Sequence, residues 1–350
     1  MNFPNVRGII YKNRLKRCDL MATLDDIARQ LGVSKSTVSK ALNGADDVSD
    51  TMRKAVLEKA VELGYSRAFR GTAPRIAVFI TNMKYQSPMD FGHDIVVGFR
   101  KLAEPNGYSV DIIPLDHEMQ HKMPYDQFML LGNYRGGFFM GLSLLDPWLK
   151  DFKTCTTPTV LYDNCVTGNP KVTYVGVDNA EGMDLAVTYL KSLGHKKIGY
   201  LSGGLEAYVY QQRCDAFFRV LQENGLPHGR ELMGNNYHVT QCMEEHLDRL
   251  LDLGCTALVC SHDLMARTAI RYCVEEGLRV PQDVSVMGYD DGPLCSSTTP
   301  PLTSIRQNRT ELGKSAFYAL NSQINEVAMS SLLLHAELIC RESCGPAPIK

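Results

Sequence analysis

A short cluster of hydroxyl and lysine side chains stands out near the N-terminus of the chain. Within residues 34 to 40 it comprises Ser34, Lys35, Ser36, Thr37, Ser39 and Lys40. Hydroxyls and backbone amides bind phosphate oxygens, and lysines reach the guanine acceptors of the major groove. These residue types at this spacing therefore predict a helix whose N-terminal end enters the major groove of DNA.

Two short helices joined at a glycine must position this cluster. Thr23 is a natural N-cap for the first helix, Gly32 permits a tight turn, and Ser34 caps the second helix. A third helix is predicted from the Ser49 cap to residue 63, with Gly64 as its terminator. The residues predicted to pack inward in the first two helices are Leu24, Ile27, Ala28, Leu31, Val33, Val38, Ala41 and Leu42.

Spacing alone is also compatible with an ordinary three-helix bundle that has a solvated polar face. The segments VSKSTVSKALNG and VSDTMRKAVLEKAVELGY, however, resemble the headpiece of the LacI/GalR family of bacterial transcription regulators. The predicted base contacts are Lys35, Ser36 and Lys40. The residues predicted to hold phosphates and set the register are Thr23, Ser34, Thr37, Ser39 and Asn43.

From Arg75 onward, short apolar runs alternate with helical patterns. This alternation predicts parallel sheets that are covered on both faces, with ligands beyond the carboxyl ends of the strands. The predicted strands are 76–81, 137–141, 159–162, 174–177, 197–202, 257–261 and 284–288. The predicted helices are 94–104, 180–193, 211–224, 244–253 and 264–276.

Three further segments, 176–204, 257–294 and 299–316, resemble consecutive blocks of the same family. The resemblance implies an all-α headpiece of three helices that contains a helix-turn-helix. It also implies an α/β core like that of periplasmic binding proteins. This core has two doubly wound subdomains, and the chain crosses three times from one to the other. The expected domains are a headpiece at 21–65, a short hinge at 66–75 and an effector-binding and dimerisation core at 76–350. Within the core, the N-subdomain is expected at 76–176 and 307–338, and the C-subdomain at 177–306 and 339–350.

The resemblance also implies a ligand site between these subdomains. Asp163 of LYDN, Arg213 of RCDAF and Asp290 of GYDD match ligand-contacting positions, although Ala216 stands where the family has Gly. Carboxylates accept from adjacent hydroxyls and a guanidinium donates a fork of hydrogen bonds, so the set suits a sugar. Phe91 and Tyr237 are candidate aromatic walls. Each of these five residues also has an ordinary structural interpretation as a turn or core residue.

His262 departs from the family, which has Asn-Asp where this chain has His262-Asp263. A ligand-facing histidine would donate to a hydroxyl or an anionic group and would make binding depend on pH near neutrality. The alternative is a histidine whose hydrogen bonds are satisfied at the end of a strand.

The hinge, SRAFRGTAPR, departs from the family as well. The Ala-rich hinge helix of the family, whose Leu wedges into the minor groove, is missing, and Gly71 and Pro74 oppose helix formation. Phe69 is a candidate substitute for the wedge, and a flexible basic linker is the simpler alternative. Residues 1–20 are basic and without periodicity, which predicts either a disordered arm that adds DNA affinity or a true start at Met21.

Composition narrows the class of protein. The first 75 residues hold 14 Lys and Arg against 8 Asp and Glu, whereas the remaining residues hold 23 against 31, so the N-terminal end is the nucleic-acid end. The 11 cysteines are scattered through apolar stretches and are expected to be reduced and mostly buried. We expect no metal, no cofactor, no membrane contact and a cytoplasmic location.

The sequence thus predicts a homodimeric transcriptional repressor that binds a pseudo-palindromic double-stranded DNA operator. A small polar effector, a sugar or sugar derivative, would change its operator affinity. The alternative is a cytosolic solute-binding or sugar-binding protein with a degraded DNA-binding function. An enzyme is disfavoured because the sequence contains no phosphate-cradling glycine loop, nucleophile elbow or metal-ligand cluster, so no catalytic residue is assigned.

Overall fold

The computed structural model describes residues 22–65 and 73–349 of the chain. Contacts divide the chain into two compact units. The first unit contains the three N-terminal helices and the segment Met123–Tyr134, and the second contains two six-stranded sheets. The expectations for the extension 1–20, for a start at Met21 and for Phe69 lie outside the described residues.

The N-terminal helices are α1 (Leu24–Leu31), α2 (Lys35–Leu42) and α3 (Asp50–Glu62). The predicted caps are confirmed, since the side chains of Thr23, Ser34 and Ser49 accept hydrogen bonds from the first turn of α1, α2 and α3, respectively. Gly32 has a φ of 65°, the left-handed conformation that the predicted turn requires. The side chains that lie fully inside this small core are Ile27, Val38, Ala41, Val56 and Ala60.

The first sheet, with the helices around it, forms what we call the N-subdomain. Its strands are β1 (Arg75–Ile80), β2 (Ser109–Pro114), β3 (Tyr134–Met140), β4 (Thr159–Tyr162), β5 (Val172–Val177) and β11 (Ser331–Leu334), in the order β11-β5-β4-β3-β1-β2. The helices among these strands are α4 (Phe91–Ala103), α5 (His117–Lys122), α7 (Trp148–Asp151) and α12 (Arg309–Ile324), whereas α6 (Tyr125–Leu131) belongs to the first unit.

The second sheet belongs to what we call the C-subdomain. Its strands are β6 (Ile198–Ser202), β7 (Met233–Asn235), β8 (Ala257–Cys260), β9 (Ser285–Asp290), β10 (Thr303–Arg306) and β12 (Glu337–Ile339), in the order β12-β10-β9-β8-β6-β7. Its helices are α8 (Asn179–Ser192), α9 (Tyr208–Glu223), α10 (Val239–Asp252) and α11 (Asp263–Glu275). The strands β6 to β10 pair in parallel, and β12 runs antiparallel to β10.

All seven predicted strands and all five predicted core helices have counterparts in the structure. The strands that the sequence did not predict are β2, β7, β10, β11 and β12. Four of these lie at the edges of the two sheets, where only one side of the strand is paired. Short edge strands are partly exposed and lack the continuous apolar run that marks a central parallel strand, so their sequence signal is weak.

The chain passes between the two sheets three times. The first passage follows β5 at Val177, the second follows β10 at Arg306, and the third lies at residues 335–336, between β11 and β12. The third passage comes slightly earlier than the expected boundary at 338, because Glu337 and Leu338 already pair with β10. The carboxyl ends of β4 and β9 therefore lie beside the segments that connect the subdomains.

Helices α4 and α12 pack with their backbones in close approach. A Cβ at Gly98 would lie 2.1 Å from the carbonyl oxygen of Thr310, and one at Gly313 would lie 2.0 Å from that of Ile95. No side chain fits at these distances, so the two glycines allow the approach.

Gly98→Ala is therefore expected to lower the free energy of unfolding by about 1–3 kcal/mol through overpacking. Urea unfolding followed by circular dichroism measures this change. Lys101→Ala, at an exposed position on the same helix, is the control and should be nearly neutral. An unchanged midpoint for Gly98→Ala would contradict the close packing of α4 against α12.

Candidate functional site

The hydroxyl and lysine cluster lies on the outer face of α2. Val38, Ala41 and Leu42 are buried, whereas Lys35 and Ser36 are exposed. The hydroxyl of Ser34 accepts from the amide of Thr37 at 3.0 Å, which fixes the start of the helix. The arrangement presents donors on a helix N-terminus, as a groove-reading helix requires.

Both lysines of this face are paired with carboxylates of other segments. Lys35 Nζ lies 2.7 Å from an oxygen of Asp25 on α1. Lys40 pairs with Asp47, in the turn between α2 and α3. The sequence interpretation placed the lysines outward and missed these two partners, which are ten and seven residues away along the chain.

The other predicted DNA contacts take part in local hydrogen bonds. The hydroxyl of Thr23 accepts from the amide of Asp26, and the carboxylate of Asp26 accepts from the amide of Thr23 at 2.9 Å, which forms a capping box. Asn43 lies at the C-terminal end of α2, and its side-chain amide donates to the hydroxyl of Ser39 at 3.4 Å. These side chains hold the start of α1 and the end of α2, respectively.

A second group of polar residues gathers between the subdomains, around the carboxyl ends of β4 and β9. Asp163 follows β4 and has a φ of 51°, and Asp290, the last residue of β9, has a φ of 110°. Positive φ values are uncommon for residues other than glycine, and Asp tolerates them better than most. The turns direct both carboxylates toward Arg213, which α9 supplies from the C-subdomain.

Arg213 is 2% exposed and lies at the centre of this group. Its Nε donates to Asn179 at 2.9 Å and its Nη1 to the carbonyl of Ser261 at 2.6 Å. The guanidinium carbon also lies 3.7 Å from the centroid of the Tyr289 ring. A buried charge is tolerated only when it is paired and hydrogen-bonded, and this arrangement meets both conditions.

Asp290 connects Arg213 to the first sheet. One of its oxygens lies 3.5 Å from Nη1 of Arg213 and accepts from the amide of Gln307 at 2.7 Å. The oxygen of the Gln307 amide accepts in turn from the hydroxyl of Tyr162 at 3.2 Å. Tyr162 stacks on Phe91, with 6.3 Å between ring centroids. The predicted Phe91 therefore lies outside the chain of hydrogen bonds and stacks on its last member, Tyr162, as an apolar wall.

Asp163 has a buried carboxylate oxygen, Oδ1, without a hydrogen-bond partner among the described residues. Burial raises the pKa of Asp163 to about 6, although the charge of Arg213 opposes this shift. An unsatisfied buried acceptor is costly, so it marks a place where a ligand donor fits.

His262 is the N-cap of α11, and its Nδ1 accepts from the amide of Met265 at 3.1 Å. Burial, together with the charge of Arg213, lowers the pKa of His262 to about 4. The expectation that this residue makes binding pH-dependent near neutrality is therefore wrong, because the ring is already neutral there. With Nδ1 accepting, Nε2 carries the hydrogen and remains a donor.

Tyr237 lies apart from the buried network. Its side chain is 77% exposed and lies beside Gly204. Gly204 belongs to the loop that follows β6. The same loop reaches the N-subdomain through a 3.0 Å hydrogen bond from the amide of Leu144 to the carbonyl of Glu206. Sequence reasoning placed Tyr237 with the acids, but its position is peripheral to them.

Several residues of the group were missed by the sequence analysis: Tyr162, Asn179, Tyr210, Asp263, Tyr289 and Gln307. Asp263 is 3% exposed and accepts from the hydroxyl of Ser304 and the amide of Gly292, each at 2.6 Å. Burial raises the pKa of Asp263 to about 7. The available signal was position, since Gln307 directly follows the strand β10 and Asn179 begins α8, both at passages between the sheets.

Other classes of site receive no support from the described part of the chain. Within residues 22–65 and 73–349, no group of His, Cys, Asp or Glu side chains is placed to hold a metal ion. The ten described cysteines are free, and eight of them are buried, in agreement with the expected thiol state. No described helix is long and apolar enough to cross a bilayer.

A helix-turn-helix unit followed by two hinged α/β subdomains defines a class of DNA-binding proteins with a ligand-binding core. Comparisons with known families identify the same two parts. The family described as bacterial regulatory proteins, lacI family, matches residues 23–68. The periplasmic binding protein-like domain matches residues 187–344.

Whole-length relatives have the same organisation. The HTH-type transcriptional regulator MalR of Streptomyces coelicolor is 30% identical over 338 residues, covering 93% of this chain and 97% of the relative. The HTH-type transcriptional repressor CytR of Escherichia coli is 29% identical, covering 96% of this chain and 100% of the relative. The chain belongs to the LacI family of bacterial transcription regulators, and these relatives are regulators rather than enzymes.

Solved structures agree with this assignment. A transcriptional regulator CelR-cellobiose complex superposes with a TM-score of 0.66 at 26% identity, covering 92% of this chain and 99% of that one. The lac repressor dimer bound to operator and the anti-inducer ONPF superposes with a TM-score of 0.63 at 25% identity and the same coverage.

The ionised carboxylate of Asp163 is expected to destabilise the ligand-free protein. Its folded pKa of about 6 lies above the value of about 3.9 for an unfolded chain, so its cost is complete above pH 6 and vanishes below about pH 4. Asp163→Asn should therefore raise the free energy of unfolding by up to about 2–3 kcal/mol at pH 7.5 and by much less at pH 4.

Urea unfolding at several pH values measures this difference. Asp184→Asn, at an exposed position on α8, is the control and should show no such dependence. An equal effect of Asp163→Asn at pH 4 and pH 7.5 would refute an ionised, unsatisfied carboxylate at this position.

Proposed function

We propose that the protein is a homodimeric repressor that binds a pseudo-palindromic operator, with one headpiece on each half-site. Lys35, Ser36 and Lys40 contact base edges. The residues that contact phosphates and fix the register are Thr23, Ser34, Thr37, Ser39 and Asn43. Such a protein acts in the cytoplasm, together with its operator.

One observation supports this assignment above the others: the polar edge of α2 is exposed while its opposite edge is buried. The caps at both ends of α2 are intact, and the core beneath it is closed. The same segment, residues 23–68, matches the family described as bacterial regulatory proteins, lacI family. The alternative of a solute-binding protein with a degraded DNA-binding domain therefore receives less support.

We further propose that the effector is a small polyhydroxylated molecule, such as a sugar, and that it binds between the subdomains. The acceptors for its hydroxyls are Asp163 and Asp290, Nε2 of His262 is a donor, and Phe91 is an apolar wall. Tyr237 joins this set only at its rim.

The charge of the site narrows the chemical class of the effector. Asp163 and Asp290 face Arg213, two of whose nitrogens already donate to Asn179 and Ser261. A second cation, Arg309, also acts on Asp290, but its charge is paired with Asp94 at 3.2 Å. His262 contributes no charge at neutral pH. A sugar acid or a sugar phosphate would place a second anion beside an unsatisfied carboxylate, at a high cost in a buried site. The effector is therefore neutral or cationic.

For DNA binding, we expect Lys35→Ala and Lys40→Ala to weaken binding to an operator selected from random duplexes by about tenfold or more, and to relax its sequence preference. The loss of a base contact has this effect, whereas the loss of a phosphate contact weakens all sequences alike. Lys54→Ala, exposed on α3, is the control. If the unaltered protein selected no duplex at low salt, the repressor assignment would fall and the solute-binding alternative would stand.

For the effector, a thermal-shift screen of neutral sugars, nucleosides, amino sugars, sugar acids and sugar phosphates is expected to give its hits among the neutral and amino compounds. Asp163→Asn should weaken the affinity of such a hit by about 10- to 100-fold, as measured by calorimetry, because it removes a charge-assisted hydrogen bond. Hits confined to sugar acids and phosphates would contradict the proposed class.

A further inference from the structure

The two lysines at the DNA-reading edge of α2 are each held by a carboxylate from outside the helix. Asp25 on α1 binds Lys35 at 2.7 Å, and Asp47 in the following turn binds Lys40. All four side chains are about half exposed. The pairs are therefore open to water and accessible to a duplex.

A lysine ammonium group has three N–H donors. One donor to the carboxylate leaves two for the O6 and N7 acceptors of a guanine, so a lysine can read a base while its acid still holds it. The acid also limits where the ammonium group can go, which reduces the rotamer freedom that is lost on binding. At a matching base, the carboxylate therefore positions the lysine ammonium group that contacts the base.

At a phosphate, the same carboxylate has the opposite effect. Binding of a protein to DNA of any sequence depends on lysine and arginine side chains that displace the counterions of the phosphates. A lysine that is already paired gains little by exchanging one anionic oxygen for another. The carboxylate that it leaves behind would then face the phosphates with its charge unpaired, and this arrangement is repulsive.

We propose that Asp25 and Asp47 are specificity-determining residues of the headpiece: they keep Lys35 and Lys40 away from phosphates and direct them to bases. Both acids are positioning residues that act through the lysines. The proposal rests on the assignment of Lys35 and Lys40 to base contacts. The proposal goes beyond that assignment because it gives two acidic residues a role in base recognition, on a surface that binds a polyanion.

The test compares Asp25→Asn and Asp47→Asn with the unaltered full-length protein, using a selected operator and a scrambled duplex over a range of salt concentrations. Each variant should bind the scrambled duplex about threefold more tightly at low salt, and the slope of its log affinity against log salt should steepen by about 0.9, as for one added phosphate contact. Operator affinity should not rise in proportion, so the ratio of operator to scrambled binding falls.

Two matched substitutions control for net charge and for helix stability. Asp50→Asn removes an acid from the first turn of α3, as Asp25→Asn does from α1. Asp50, however, lies near Arg53 and not near Lys35 or Lys40. Asp46→Asn removes the charge next to Asp47, and Asp46 forms no ion pair with any residue in 22–65. Both controls should leave the ratio of operator to scrambled binding unchanged, and Asp25→Glu and Asp47→Glu should restore it.

The inference is overturned if Asp25→Asn and Asp47→Asn keep the salt slope and the binding ratio of the unaltered protein, or if the two controls lower the ratio equally. It is also overturned if the acid-to-amide variants gain operator affinity as much as scrambled affinity. These results differ from failure of the base-contact assignment, in which Lys35→Ala and Lys40→Ala themselves leave the sequence preference intact.

Discussion

The burial of one cation, Arg213, is the constraint on which the site between the subdomains depends. A guanidinium that is 2% exposed is stable only if its donors and its charge are satisfied in place. Asn179, Ser261 and Asp290 satisfy them from three different segments, and the face of Tyr289 covers the group. The positions of α8, β8 and β9 relative to α9 are therefore fixed by a requirement of electrostatics as well as by packing.

Sequence reasoning could predict some members of this site and not others, for a physical reason. Asp163, Arg213 and Asp290 stand in segments that resemble a known family, next to strands whose apolar runs are clear. Gln307 and Asn179 carry no such mark, because each acts through partners far along the chain: Gln307 meets Tyr162 at a separation of 145 residues, and Asn179 meets Tyr289 at 110. Local periodicity holds no information about contacts of this range.

The headpiece shows the same division at a smaller scale. Its caps, at Thr23 and Ser34, were predictable because an N-cap bonds to an amide only three residues away. The partners of Lys35 and Lys40 were not, because they come from α1 and from the turn after α2 rather than from the next turn of the same helix. Ion pairs at i, i+4 can be read from spacing, whereas these depend on how the helices cross.

The contacts that join the two subdomains explain how a small effector could control them. They include polar contacts of 3.0–3.1 Å from Leu144 to Glu206 and from Tyr174 to Gln212. Polar contacts exchange with water at little net cost, so these bonds alone favour closure only weakly. A ligand shifts a two-state equilibrium only by its differential affinity, and a change from 1:99 to 99:1 needs about 5.5 kcal/mol.

Asp163 and Asp290 stand in different subdomains, so a ligand that donates to both makes the pair of bonds only when the cleft is closed. Two charge-assisted hydrogen bonds, at about 1.5–3 kcal/mol each, come close to that requirement. If the effector donates to both acids, as proposed, the location of these acceptors on different subdomains makes its binding favour the closed arrangement, which a single acidic pocket on one subdomain would not do.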